Sequence, residues 1–265
     1  LSRPSPGALA VRAKLGVGAA ARGSGAVIVS RVRLREAAGE AVLVLSPHQD
    51  DETIGMGGTI AMLASRGHRV VVAFLTDGAG CRRGEERARY AEERRAQARE
   101  ALSRLGAAEA VFLGYPDCRL AEHVAEAAED VVDLAAEIGA RVLYAPHDKE
   151  YSPDHRAANA VARLAAWRLF YCRYGLEVEA LYEYEVWPPM EGFTDAVDVT
   201  DFVEAKRSAL EVYARGGQVG DVEAVLGLNR YRAYYIWYPK SPRYAEVFRR
   251  VGGAQLRLSP IPGYA

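Results

Sequence analysis

Short apolar runs alternating with longer helical stretches predict an α/β fold: a Rossmann-like, mostly parallel sheet with helices on both faces, plus a smaller C-terminal part. Three observations carry this expectation. Residues 41–45 (AVLVL) and 69–75 (RVVVAFL) are β-branched-rich, too short for helices and bounded by turn residues, as buried parallel strands are. A helical stretch lies between them, so strand, helix and strand fall within about 35 residues, a length that suits a right-handed βαβ unit. The first run stops at a cluster of charge followed by glycines, and in an open α/β sheet ligands bind at such strand ends.

The remaining elements follow from local signals. Residues 1–38 read as an N-terminal extension with one short helix at 8–15; their apolar part holds basic charges and no uninterrupted signal core. Residues 58–64 predict a helix ended by Gly67, and 85–105, dense in Arg, Glu and Ala, a long helix stopped by Gly106. Residues 110–113 form a third strand. The stretch 121–138 is amphipathic, with Val124, Ala128, Val131, Val132 and Ala135 on its core side. A fourth strand at 141–145 and a helix at 156–169 complete a metal-binding core over 39–172. Residues 173–265 are expected to finish the sheet and the pocket within the same domain. There, 176–186 (LEVEALYEYEV) alternates apolar and charged residues, the pattern of a half-exposed strand, and 196–200 reads as a short strand. Asp201 is expected to cap a helix over 202–213.

Composition narrows the function. The 265 residues are 50% hydrophobic, enough for a sizeable core. With 34 basic and 35 acidic side chains the net charge is -1, which offers no field to attract nucleic acid or an anionic membrane and suits small neutral substrates. Cys81, Cys118 and Cys172 are scattered and odd in number, which argues against a disulfide framework and for a reducing, cytoplasmic setting. No apolar run approaches the roughly 18–20 residues of a membrane span.

The chemistry concentrates after the first strand, where His48, Asp50, Asp51 and Glu52 stand within five residues. A solvated loop that caps a helix has no need of His-x-Asp-Asp. Imidazole and carboxylate together suit a borderline divalent cation such as zinc, whose catalytic sites use three protein ligands and leave one position for water. A second carboxylate beside it can serve as proton acceptor.

The string PHQDDETIGMGG resembles the metal-binding signature of the PIG-L/LmbE-like N-acetylglucosaminyl deacetylases, usually His-Pro-Asp-Asp-Glu after the first strand; Gln49 stands where that family has Pro. The resemblance continues in Thr76-Asp77-Gly78, in Gly114-Tyr115-Pro116-Asp117, and in Ser152-Pro153-Asp154-His155, where the family has His-Pro-Asp-His. Carried over residue by residue, it implies one zinc per chain, or another divalent transition metal, held by His48, Asp51 and His155. Asp50 is then the general base that returns its proton as an acid. Arg94 and Asp117 face the substrate, although Gln97 replaces the Glu of the family's Arg-x-x-Glu motif. Glu52 belongs behind the ligands or at the helix start. Asp154 is expected to orient a ligand imidazole or to cap the helix. Ser152 replaces a histidine thought to assist the tetrahedral intermediate, and His147 is read as structural. Residues 216–238, rich in Tyr and Arg, would then be a sugar-facing wall or a contact between subunits. The activity implied is hydrolysis of the N-acetyl group of an N-acetylglucosamine-containing small molecule or glycoconjugate, with homo-oligomers compatible. A metal-dependent phosphoesterase and a catalytically decayed sugar-binding protein are the alternatives.

Overall fold

The computed structural model describes residues 30–31, 39–80, 82–106, 109–171, 178–238 and 242–252. In chain order the elements are β1 (Ser30–Arg31), β2 (Ala41–Ser46), α1 (Asp51–Ser65), β3 (Arg69–Thr76), α2 (Gly84–Arg104), β4 (Glu109–Tyr115), α3 (Val124–Ile138), β5 (Val142–Pro146) and α4 (Pro153–Tyr171). Then follow β6 (Ala180–Tyr184), β7 (Asp195–Asp198), α5 (Val203–Arg215), α6 (Val222–Trp237) and β8 (Ala245–Val251). The strands form one sheet in the order β1-β7-β8-β6-β5-β2-β3-β4. Among the described residues only β8 runs antiparallel to its neighbours, β6 and β7.

At the centre, β2 pairs in parallel with both β3 and β5, placing Val42 beside Val70 and Val142. All six of its residues are buried, which explains a continuous apolar run instead of alternation. Val42, Val44 and Val72 pack with α1, α2 and α5 on one face, through Ile60, Leu102 and Leu210. Leu43, Leu45 and Val71 pack with α3 and α4 on the other, through Val131 and Ala162. The carboxyl ends of the strands are thereby left open between two helix layers. No helix among the described residues is long and apolar enough to cross a membrane.

Several elements differ from the sequence expectation. The helix expected over 58–64 begins at Asp51, so two of the clustered carboxylates lie in its first turn. The fourth helix starts at Pro153, which puts Asp154 and His155 in its opening turn instead of ahead of it. Residues 30–31, expected in an N-terminal extension, pair in parallel with β7; the helix expected at 8–15 lies outside the described residues. The stretch 176–186, expected to be half exposed, supplies β6 in the interior of the sheet. Glu183 and Glu185 are buried, the first by pairing with Arg163 and Arg249 and the second with Arg232, so alternation at 183–185 marks ion pairs and not solvent. Asp201 does not cap α5, which begins at Val203 after a 3-10 turn with Phe202 at the N-cap and no side-chain acceptor.

Candidate metal centre

Where β2 ends, the chain turns through Pro47, and Thr76 at the end of β3 holds that turn by donating its amide and hydroxyl to the Pro47 carbonyl at 3.0 and 2.8 Å. Gln49 is fully buried and donates to the Thr76 carbonyl at 2.9 Å. Gly78, at φ +64, occupies the left-handed region that favours glycine, and a Cβ there would also crowd the end of the Gln49 side chain.

Helix α1 carries Asp51 and Glu52 in its first turn and is broken at Met56 (φ -146, ψ 23). A break exposes carbonyls at the end of one piece and amides at the start of the next. A fully buried ion pair fills it. Lys206 Nζ donates to the Ile54 carbonyl at 2.8 Å, the Gly58 and Thr59 amides donate to Glu246 at 2.9 and 2.7 Å, and Lys206 and Glu246 meet at 2.7 Å. Gly55 lets this helix lie against β6, where a Cβ would fall 2.3 Å from the Tyr184 ring.

Three donor atoms converge from the ends of β2 and β5. His48 Nδ1 lies 3.1 Å from Asp51 Oδ2, His155 Nε2 lies 3.2 Å from the same oxygen, and the two ring nitrogens are 3.3 Å apart. A tetrahedral zinc with bonds of about 2.0–2.1 Å has edges of about 3.3–3.4 Å, so this donor set fits one such cation. The far nitrogen of each ring meets a carboxylate: His155 Nδ1 faces Glu150 Oε2 at 3.3 Å, and His48 Nε2 faces Asp117 Oδ1 at 3.2 Å and Asp154 Oδ2 at 3.3 Å. Such pairing fixes the tautomer and orientation of a ligand imidazole. His48, Asp117 and Asp154 also group three potential ligands. A neutral imidazole binds a cation through one nitrogen and keeps a proton on the other. Asp154 already accepts the Cys118 and Leu120 amides at 2.7 and 3.1 Å, and it does not line the pocket that His48, Asp51 and His155 share.

The charges settle accordingly. Burial opposes a proton on either ring, but the surrounding carboxylates outweigh it, raising His48 well above its ordinary value and His155 to about 9. Burial likewise works against ionised Asp51, yet the two histidines hold it well below the usual carboxylate range. Asp50 goes the other way. Burial, then the Asp51 charge, pushes it up to about 7 against the pull of Arg94 and His48.

The other expected residues are placed as follows. Arg94 is buried and approaches Asp50 Oδ1 at 3.3 Å, while also donating to the Gln49 carbonyl and, at 3.4 Å, to Gln97 Oε1. Glu52 points away from the pocket and accepts from Thr53 Oγ1 at 2.6 Å, Tyr213 Oη at 2.8 Å and the Asp50 amide at 3.2 Å. Asp117 lines the pocket with one oxygen held by the Gly80 amide at 2.7 Å. Asp77 spends its carboxylate on the Ala79 and Asp117 amides and on Arg87. His147 is buried against the Pro188 carbonyl at 3.1 Å and Glu150 at 3.3 Å, away from the pocket lining. Ser152 does line it, with Arg82, Tyr90, Trp187 and Gln218, enclosing about 380 Å³. Tyr231, Tyr234, Tyr235 and Tyr238 are exposed on or just beyond α6, outside that lining. Glu150 is the residue that sequence reasoning missed. It also receives the Val186 amide at 2.8 Å, so it joins the His155 loop to the end of β6.

Residues 43–166 match the family model described as PIG-L, GlcNAc-PI de-N-acetylase. That match covers just under half of the chain. The chain is 28% identical over 235 residues to a diacetylchitobiose deacetylase of Thermococcus kodakarensis, covering 83% of this chain and 86% of that protein. Among solved structures it is similar to the N,N'-diacetylchitobiose deacetylase of Pyrococcus horikoshii (TM-score 0.68, 26% identity, 84% and 87% of the two chains). It is also similar to a conserved protein of Thermus thermophilus (TM-score 0.67, 28% identity, 78% and 93%). A 4-carboxy-2-hydroxymuconate hydratase from Pseudomonas putida shares the fold at 22% identity (TM-score 0.68, 80% and 96%), so the architecture alone does not name the reaction.

Proposed function

We propose that this protein is a zinc-dependent N-deacetylase that removes the acetyl group from an N-acetylglucosamine-containing small molecule or glycoconjugate. The observation that carries this reading is the convergence of His48, Asp51 and His155 on one point, with Asp50 beside them and not among them. His48, Asp51 and His155 would hold one divalent cation per chain, which would supply Lewis acidity toward the amide carbonyl and lower the pKa of water there.

The chain's own groups do the rest. Asp50 takes a proton from the attacking water and returns it to the amide nitrogen as the C–N bond breaks, giving acetate and a free amine. A carboxyl near 7 suits both halves of that exchange, since it can be emptied and refilled at neutral pH. Arg94 holds Asp50 on the pocket side, and Glu52 fixes the Asp50 backbone from behind. Asp117, on the pocket wall, offers an acceptor for sugar hydroxyls.

Acetate release from a panel of N-acetylglucosaminides, measured with the metal content of the same preparation, tests the reading. One metal per chain with acetate released supports it. Two metals per chain with turnover of phosphate esters instead would replace it with the phosphoesterase reading.

A further inference from the structure

Next to the polar pocket lies a second cavity of about 310 Å³, of a size that holds small organic ligands. Its walls are Ile54, Val186, Trp187, Pro189, Val225 and Leu228, from α1, the chain after β6, and α6. Two features tie it to the metal centre. Trp187, 49% exposed, lines both cavities, and Ile54 sits one helical turn after Asp51 in α1. The chamber is chemically unlike its neighbour: Glu185 on its wall is neutralised by Arg232 at 2.7 Å, and the remaining contact surface is mostly hydrocarbon. Asn229, 5% exposed, also lines it, and its Oδ1 accepts no hydrogen bond among the described residues. A buried acceptor without a donor is costly, which makes it a place for a ligand hydroxyl or amide N–H.

We infer that this chamber takes an apolar substituent, alkyl or aryl, carried by the amino-sugar substrate, with the acetamido end across Trp187 at the metal centre. The inference rests on the deacetylase reading for which group lies in the polar pocket, but not for the chamber itself. A sugar in the chamber would leave most of its hydroxyls without partners, whereas each buried methylene contributes about 0.8 kcal/mol, roughly fourfold in affinity.

The test compares the methyl and hexyl β-glycosides of N-acetylglucosamine on the full metal-loaded chain. Acetate release gives kcat/KM, and equilibrium binding to the metal-loaded Asp50→Ala protein gives Kd. The hexyl glycoside is expected to bind at least about tenfold tighter and to show a correspondingly higher kcat/KM, since two buried methylenes suffice for that. Leu228→Trp and Ala224→Trp, the second at an exposed position on the chamber rim, each fill the space and should bring the hexyl-to-methyl ratio toward one. A ratio near one in the unmodified chain, or one that neither substitution changes, overturns the inference even if both glycosides are deacetylated. Hexyl-selective binding that the two substitutions abolish, with no acetate released from either glycoside, supports the chamber and overturns the deacetylase reading instead.

Discussion

Lys206→Met should uncouple the ligand turn from the rest of the sheet. The substitution keeps the volume of the stem but removes the ammonium that meets both Glu246 at 2.7 Å and the Ile54 carbonyl at 2.8 Å. Removing one partner of a fully buried ion pair costs about 3–5 kcal/mol, because the remaining carboxylate is left without compensation. The orphaned Ile54 carbonyl adds about 1–3 kcal/mol, so a total of roughly 4–8 kcal/mol is expected. Adding Glu246→Gln removes the stranded charge while leaving an oxygen for the Gly58 and Thr59 amides. The double variant should therefore recover about 1–3 kcal/mol relative to the sum of the singles. Denaturant unfolding of the four proteins measures this, with metal affinity as the second readout, since Asp51 rides on the piece of helix before the break. A loss under about 1 kcal/mol for Lys206→Met, or strict additivity, would refute the claim that the pair completes the broken helix.

Further outcomes follow from the same geometry. Asp50→Ala should retain metal and lose about 10²–10⁴ in kcat, whereas Asp51→Ala should lose metal; elemental analysis and turnover on both variants check this, and the reverse pattern would swap their roles. Glu150→Ala should weaken metal binding about 10–100-fold by freeing the His155 ring, read by competition with a chelating indicator. Arg94→Met removes a charge that favours ionised Asp50, so the Asp50 carboxyl should rise above 7 and the acid limb of kcat/KM should move to higher pH. The carboxylates around His155, raised to about 9, and around His48, raised well above its ordinary value, favour protonated rings in the metal-free protein, and a cation has to displace those protons. Metal uptake should therefore release protons and strengthen as pH rises toward 9, which calorimetry in buffers of different ionisation enthalpy measures.

The sheet centre was legible because β2, β3 and β5 are buried on both faces and write that into short β-branched runs. The glycines at 55, 57 and 58 hid the start of α1. Low helix propensity argued for a loop up to 57, while the structure uses those glycines for close approach to Tyr184, Lys206 and Val199 within a broken helix. The charge alternation in 176–186 resembled a solvated face because the arginines at 163, 232 and 249 lie 20, 47 and 66 residues from the glutamates they bury, invisible to any local pattern. His48, Asp51 and His155 were reached through motif resemblance and meet in the structure. Glu150 carried no such mark; a carboxylate five residues before a histidine is ordinary until both occupy one loop.

The two side chains that fill the gap in α1 arrive late, from residues 206 and 246 of the 265. A nascent polypeptide that has already laid down β2 through β6 still lacks the groups that seat the helix bearing Asp51. A chain cut short before β8 threads between β6 and β7 would carry His48, Asp51 and His155 yet lack Glu246, the acceptor that receives the Gly58 and Thr59 amides at the break in α1.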